Sequence, residues 1–421
     1  MVSRKVALSK LDNYSISAGK THLQIQSDKP YPFLEVAGWI SSNMHQKAEM
    51  IRSKALVALA YHHFGENKKG MDLLVDSVLL LDTLSQEEKH SPHTFAMLAG
   101  ALYKLQDYQD SDALVSKLED PMVVEMIASS SSQRLDIAQM RFLREEFEEG
   151  WIMLRSIEFE DLTQEEIDRF FRNLIAYSSI PMTQWDRFVL DSRYEVLALL
   201  HFLPILAFYP NHPVHTLFKD HKVRFLSKCR NILDSAQSVE EELRYLLVTA
   251  VMSTASEAKE ELLPRARKLG ENLDPIVRIW VGKLEMLVGN PYSAKLEFES
   301  VFKFLHQRGL SINDEEILEE LVRCLLVTGT KDTALDMISS VISPERRARL
   351  LVEFQSDGTT DEAMIMPLQA LVFNHGRILD ALSEAMKLKE KLDSINDIFK
   401  TGLRFLILSC IGAIFWFLGK T

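Results

Sequence analysis

At 421 residues the chain can form two or more ordinary domains or one elongated array, and with 47% hydrophobic and 26% charged residues it is not a disordered polypeptide. Only 16 glycines and 13 prolines are present, too few for a loop-rich β fold, so long helices joined by short turns are expected and the fold class is all-α. A formal net charge of -12 sets the chain as a whole against phosphate backbones and anionic lipid, and nucleic acid is not expected as a partner.

In chain order, residues 1–45 are of mixed character: "THLQIQS" alternates like a short strand, "SDKPYPF" reads as a turn, and no apolar core of a secretory signal follows the first basic residues. From residue 46 the pattern is helical. Two apolar stripes at helical spacing, separated by a turn at Phe64 to Lys68, form a first helix hairpin. Its residues Ala58, Tyr61, Gly65, Gly70, Leu74 and Ser77 alternate small and large in an order that recurs. Phe95, Leu98, Ala99, Leu102, Tyr103, Tyr108, Ser111, Val115 and Leu118 repeat it. So do Ala138, Phe147, Gly150, Leu154 and Ile157, with a turn expected to be one residue longer. The second half returns to the theme with Gly282, Gly289, Ala294, Phe298 and Val301, and with Leu321, Leu325, Gly329, Ala334, Ile338 and Val341. A last instance is Leu371, Gly376, Ala381, Ala385 and Leu388.

These hairpins resemble the tetratricopeptide repeat (TPR), a helix-turn-helix unit of about 34 residues in which small side chains let two helices touch. The resemblance implies a TPR-like α-solenoid with three hairpins in residues 46–160 and three in 257–395, separated by a divergent helical region at 161–256. It also implies a concave groove lined by the first helix of each hairpin, through Arg52, Ala55, Leu59, His62 and His63, and then His93, Ala96, Gly100, Tyr103 and Lys104. Such grooves hold peptide or helix segments of other proteins. The carboxylate clamp of heat-shock co-chaperones needs a Lys and an Asn where Ala55 and Leu59 stand, so that role is not expected. A chaperone or assembly factor, for example of a type III export-like system, is the alternative to a scaffold or adaptor.

Nothing in the chain reads as catalytic, and no cofactor is expected. "GENKKGMD" from Gly65 and "AGKT" from Ala18 each lack part of a phosphate loop. His212, His215 and His221 near Asp220 read as a polar loop rather than a metal site. Cys229, Cys324 and Cys410 are scattered and odd in number, which fits a reducing compartment. The basic clusters Lys387, Lys389, Lys391 and Arg346, Arg347, Arg349 read as solvated helix faces, because acidic residues accompany them.

The apolar run from Val196 to Pro210 is broken by His201 and Pro204 and reads as core. The tail at 396–421 differs. Phe405, Leu406, Ile407, Leu408, Ile411, Ile414, Phe415, Trp416, Phe417 and Leu418 surround the helix on every side without a charge among them. A membrane core takes about 20 residues. With Lys400 and Arg404 snorkelling, and with Phe415 to Phe417 as an aromatic anchor, the tail is long enough for a thin bilayer. The expectation is a tail-anchored protein on the cytoplasmic face of a membrane. The alternative is a cytoplasmic protein whose tail docks on itself or on a partner.

Overall fold

The computed structural model describes residues 31–84, 88, 92–158, 161–163, 166–167, 170–171, 195, 199–200, 203, 214–271, 275–311 and 314–356. All lie within one compact unit, Ile25–Leu368. Among these residues every regular element is a helix. The "THLQIQS" stretch, the hairpin expected around Leu371 to Leu388, the lysines at 387–391 and the apolar tail lie outside the described residues.

Helix α1 (Pro32–Ser42) comes first, followed by α2 (Lys47–His63), α3 (Asn67–Leu81), α4 (Pro92–Lys104) and α5 (Tyr108–Leu118). A short α6 (Pro121–Ala128) precedes α7 (Ser131–Leu143) and α8 (Phe147–Arg155), and further on come α9 (Val214–Asp220), α10 (Lys222–Asp234) and α11 (Val239–Met252). Then α12 (Ala255–Glu257) runs through a π turn, Ala258–Leu262, into α13 (Leu263–Gly270). Pro264 comes two residues after the end of that turn; it cannot donate a bond and its ring pushes back the carbonyl one turn earlier, which fits a widened helix there. The last helices are α14 (Arg278–Leu287), α15 (Pro291–Arg308), α16 (Glu315–Val327), α17 (Lys331–Ser340) and α18 (Pro344–Ser356).

Five hairpins share one turn. Between α2 and α3, Gly65 stands at φ 80°, its N–H donates to His62 O at 2.9 Å, and the Glu66 N–H donates to Tyr61 O at 2.8 Å. The same pair of bonds recurs at Gln106 and Asp107 (α4–α5), Glu145 and Glu146 (α7–α8), Gly289 and Asn290 (α14–α15), and Gly329 and Thr330 (α16–α17). Each satisfies carbonyls left open at the end of the first helix and reverses the chain through one left-handed residue. Gln106 and Glu145 hold that conformation without being glycine, at φ 70° and 64°, which costs about 1 kcal/mol each. The α7–α8 turn, expected to be longer, is in register with the others.

At equal spacing beyond the turns stand Gly70, Ser111, Gly150, Ala294 and Ala334, all buried where the second helix comes closest to the first. A Cβ on Gly70 would sit 2.9 Å from the Ala58 carbonyl oxygen. In the next hairpin the corresponding Ser111 uses that closeness to donate to Ala99 O at 2.8 Å. Periodicity thus marked the hairpins because the small side chains are a steric requirement of the crossing.

Two helices were not foreseen. Residues 32–42, read as part of a mixed segment, form α1, and α6 fills the connection between two hairpins. In α1 almost every side chain is buried, Phe33, Leu34, Val36, Ala37 and Ile40 completely, so it shows no polar face to betray a helical period.

The core falls into clusters that follow one another along the chain. One cluster joins α2 through α7, from Ile51 and Leu74 to Ile137 and Leu143. A second carries on from Phe142 and Trp151 through Phe171, Leu199 and Leu203 to Phe225 and Val248. Leu199 and Leu203 belong to the apolar run read as core, and both are fully buried there. A third joins α10 and α11 to α13 and α14.

One hairpin has no turn. Helix α18 packs along α1, and also against α2, although its sequence lies at the opposite end of the described chain. In this pairing α18 takes the place of a first helix and α1 that of a second, followed by the α2–α3 hairpin. The rings of Phe33 and Phe354 meet at 4.6 Å between centroids, both fully buried. Helix α1 has no local side-chain cap at Tyr31, and Pro32 has no N–H to satisfy. Its first orphan donor, the Phe33 N–H, bonds Gln355 Oε1 at 3.2 Å, so its cap comes from α18.

The arginines of α18 correct the sequence reading. Arg347 is wholly buried and donates through Nε to the Val341 carbonyl at 3.1 Å. Desolvation lowers its pKa to about 10, opposed by nearby Glu315. Arg346 and Arg349 are largely covered as well and pair with Glu319, while Arg323 spans to Glu353 at 2.8 and 2.9 Å. These charges bind α16 to α18 rather than face water.

Candidate functional site

The first helices of successive hairpins, α2, α4 and α7, lie side by side. Gly100 lets α4 and α7 approach: a Cβ there would stand 2.7 Å from Leu143 Cδ1. Between the two lies a shallow crevice of about 10 Å³, room for roughly one water molecule. It is lined by His93, Ala96 and Met97 from α4, and by Asp136, Gln139, Met140 and Leu143 from α7.

Its polar centre is a pair. His93 Nδ1 lies 2.7 Å from Asp136 Oδ1, and the carboxylate is 7% exposed while the imidazole is 27% exposed. With Asp136 ionised, Nδ1–H donates to it, which orients the ring and leaves Nε2 as the acceptor. Gln139 adds an amide that both donates and accepts, beside the partly buried Met97, while Met140 belongs to the core beneath. The arrangement offers a polar contact point for one main-chain amide or polar side chain beside a small apolar patch.

The residues expected to line a groove divide between this cleft and other duties. Ala96 lines the cleft, as does His93. Leu59 is 6% exposed and belongs to the core between α2 and its neighbours, so it is a packing residue rather than a wall residue. Arg52 faces α18, donating from Nε and Nη2 to the two carboxylate oxygens of Glu345 at 3.2 and 3.1 Å, and from Nη1 to Thr94 Oγ1 at 3.4 Å. Lys104 pairs with Glu145 at 2.8 Å, joining α4 to the turn after α7. Tyr103 meets Tyr108 edge-on at 5.0 Å, and the Arg144 guanidinium lies 5.0 Å from its ring centre. His62 Nδ1 shares a hydrogen bond with Asn67 Oδ1 at 2.8 Å, and His63 stays exposed beside Phe64.

The cationic residues expected along the groove are therefore largely paired. Arg52, Lys104 and Arg144 each bridge neighbouring elements. Arg144 is held above the usual arginine range by bonds to Asp112 and Glu146, against the opposing effect of burial. Asp136, Gln139 and Met140 were missed because groove positions were carried over for two hairpins only. The third hairpin places them at comparable positions on its own first helix.

The groups considered for chemistry are spent elsewhere. Cys229 and Cys324 are buried thiols outside any disulfide, and burial pushes the Cys229 thiol up to about 12, so it stays protonated at neutral pH. The His221 ring lies 6.1 Å from that of Phe225, while His212 is outside the described residues. Among the described residues no group of three or more His, Cys, Asp or Glu side chains converges as metal ligands would. Nor is any helix among them long and apolar enough to cross a membrane. Comparison of the chain with protein-family models, curated proteins and solved structures gives no match.

Proposed function

We propose that this chain is a non-enzymatic scaffold or adaptor, a TPR-like α-solenoid that holds a peptide or helix segment of a protein partner along the first helices of its hairpins. The observation that carries this reading is the shallow crevice between α4 and α7, where an oriented His93–Asp136 pair and Gln139 stand among Ala96, Met97, Met140 and Leu143. The repeated turn and the small residues that follow it support the repeat assignment. The uncharged, all-round apolar sequence from Phe405 to Leu418 supports tethering to a membrane, with the hairpins on the cytoplasmic side.

Membrane fractionation of the full chain and of a chain ending at Asp397 tests the tether. The full chain is expected in the membrane fraction, resistant to high salt, and the shortened chain in the soluble fraction with its thermal midpoint unchanged. A full chain that is soluble and monodisperse without detergent, or a shortened chain that melts several degrees lower, would show that the tail packs on protein.

A further inference from the structure

We infer that the helical unit carries a pivot between α16–α17 and α18, across which ion pairs exchange partners as the two sides turn. Between α4 and α7 the spacing is fixed by small residues: a Cβ on Gly100 would meet Leu143 Cδ1 at 2.7 Å, and such close packing tolerates one separation only. Helix α18 is packed as firmly on α1 and α2. Phe354 on Phe33, Gln355 on the Phe33 N–H and Glu345 on Arg52 make these helices one body. Toward α16 and α17, by contrast, the backbone of α18 comes close in few places, and long charged side chains cross the gap.

Those side chains share partners. Arg323 of α16 donates to Glu353 of α18 at 2.8 and 2.9 Å, and to Glu319 on its own helix at 3.3 Å. Arg346 and Arg349 of α18 also reach Glu319, and Arg346 stands 3.7 Å from Glu315 and 3.8 Å from Glu316. Glu319 thus serves three arginines. A partly buried pair resists separation chiefly because it leaves a charge unpaired. Here Arg323 turns from Glu353 to Glu319 as α18 swings, while Glu353, a third exposed, is met by water. The axis of the swing is the link between α17 and α18, where the N–H groups of Ile342 and Ser343 both donate to Glu315 Oε1 at 2.6 Å. Turning about it changes how the hairpins on either side stand to each other, with no turn or helix broken. This inference rests on the packing of α16 to α18 and does not depend on what binds between α4 and α7.

Pulsed electron paramagnetic resonance on the full chain tests it, with Cys410→Ser and spin labels on introduced cysteines; Cys229 and Cys324 are buried. Asp336→Cys with Leu79→Cys spans the pivot from exposed positions on α17 and α3, whereas Leu79→Cys with Ile152→Cys lies on one side of it. The spanning pair is expected to give a distance distribution roughly twofold wider than the control pair, because displacement about a pivot grows with distance from it. Glu319→Gln leaves Arg323 with Glu353 as its one carboxylate, and should narrow the spanning distribution to the control width. Equal widths for the two pairs with Glu319 intact would overturn the inference, whether or not the Glu319 variant folds. So would a spanning distribution that Glu319→Gln leaves unchanged or widens, since the shared carboxylate would then restrain the joint rather than permit its motion.

Discussion

Replacing Phe354 with alanine is expected to lower the unfolding free energy by about 3–5 kcal/mol, the range for truncating a fully buried aromatic whose surroundings cannot collapse. Phe354 has no exposed surface, and its ring meets that of Phe33, which has none either. The loss spreads beyond one side chain. Gln355, next to it, supplies the acceptor for the first free N–H of α1, and a helix with tyrosine at its N-cap and proline after it has no substitute. Urea denaturation followed by circular dichroism measures the effect. A loss below about 1 kcal/mol would mean that α18 contributes little to the unit.

A comparable loss is expected on replacing Arg224 and Lys228 together with methionine. Glu195 is completely buried, and its carboxylate receives bonds from Arg224 Nε at 2.8 Å and from the Lys228 ammonium. Burial alone would raise its pKa; the two cations outweigh burial and hold it below the ordinary carboxylate value of 4.5. In the native protein this pair of contacts therefore contributes stability that is present above pH 4.5 and is lost as pH falls through the lowered pKa. Without the cations a buried carboxylate is left unpaired, at a cost of about 3–5 kcal/mol at neutral pH. The deficit should shrink on acidification, because a protonated carboxyl tolerates burial. Denaturation midpoints of both proteins between pH 7 and pH 4 check this, and a deficit independent of pH would assign the loss to packing instead.

How much of this the sequence disclosed depends on the range of the interaction involved. The five hairpins with the common turn were legible because Gly65, Gly70, Gly150 and Gly289 sit where one helix must turn or touch its partner, a requirement confined to neighbouring residues. Glu145 masked one turn, since a left-handed residue that is not glycine leaves no mark. Helix α1 was lost for the opposite reason: its cap and its cover come from Gln355 and Phe354, more than three hundred residues away. Arg347 was read as solvent-facing because charge near charge suggests a wet surface, yet its partner is the Val341 carbonyl just upstream of its own helix. Arg52 and Lys104 were correctly placed on the first helices of their hairpins. Their carboxylate partners, Glu345 and Glu145, depend on how those hairpins stack.

The partner-binding reading rests on one cleft, and site-specific photocrosslinking in cells examines it directly. A photoreactive amino acid is placed at Gln139, in the cleft, or at Ile152, which is 70% exposed on α8. The Gln139 position should yield a discrete heavier species containing one other polypeptide, abolished by Met97→Glu, with none formed from the Ile152 position. Equal adducts from both positions, or none from Gln139 in cells where the chain is folded and at its normal level, would contradict partner capture between α4 and α7.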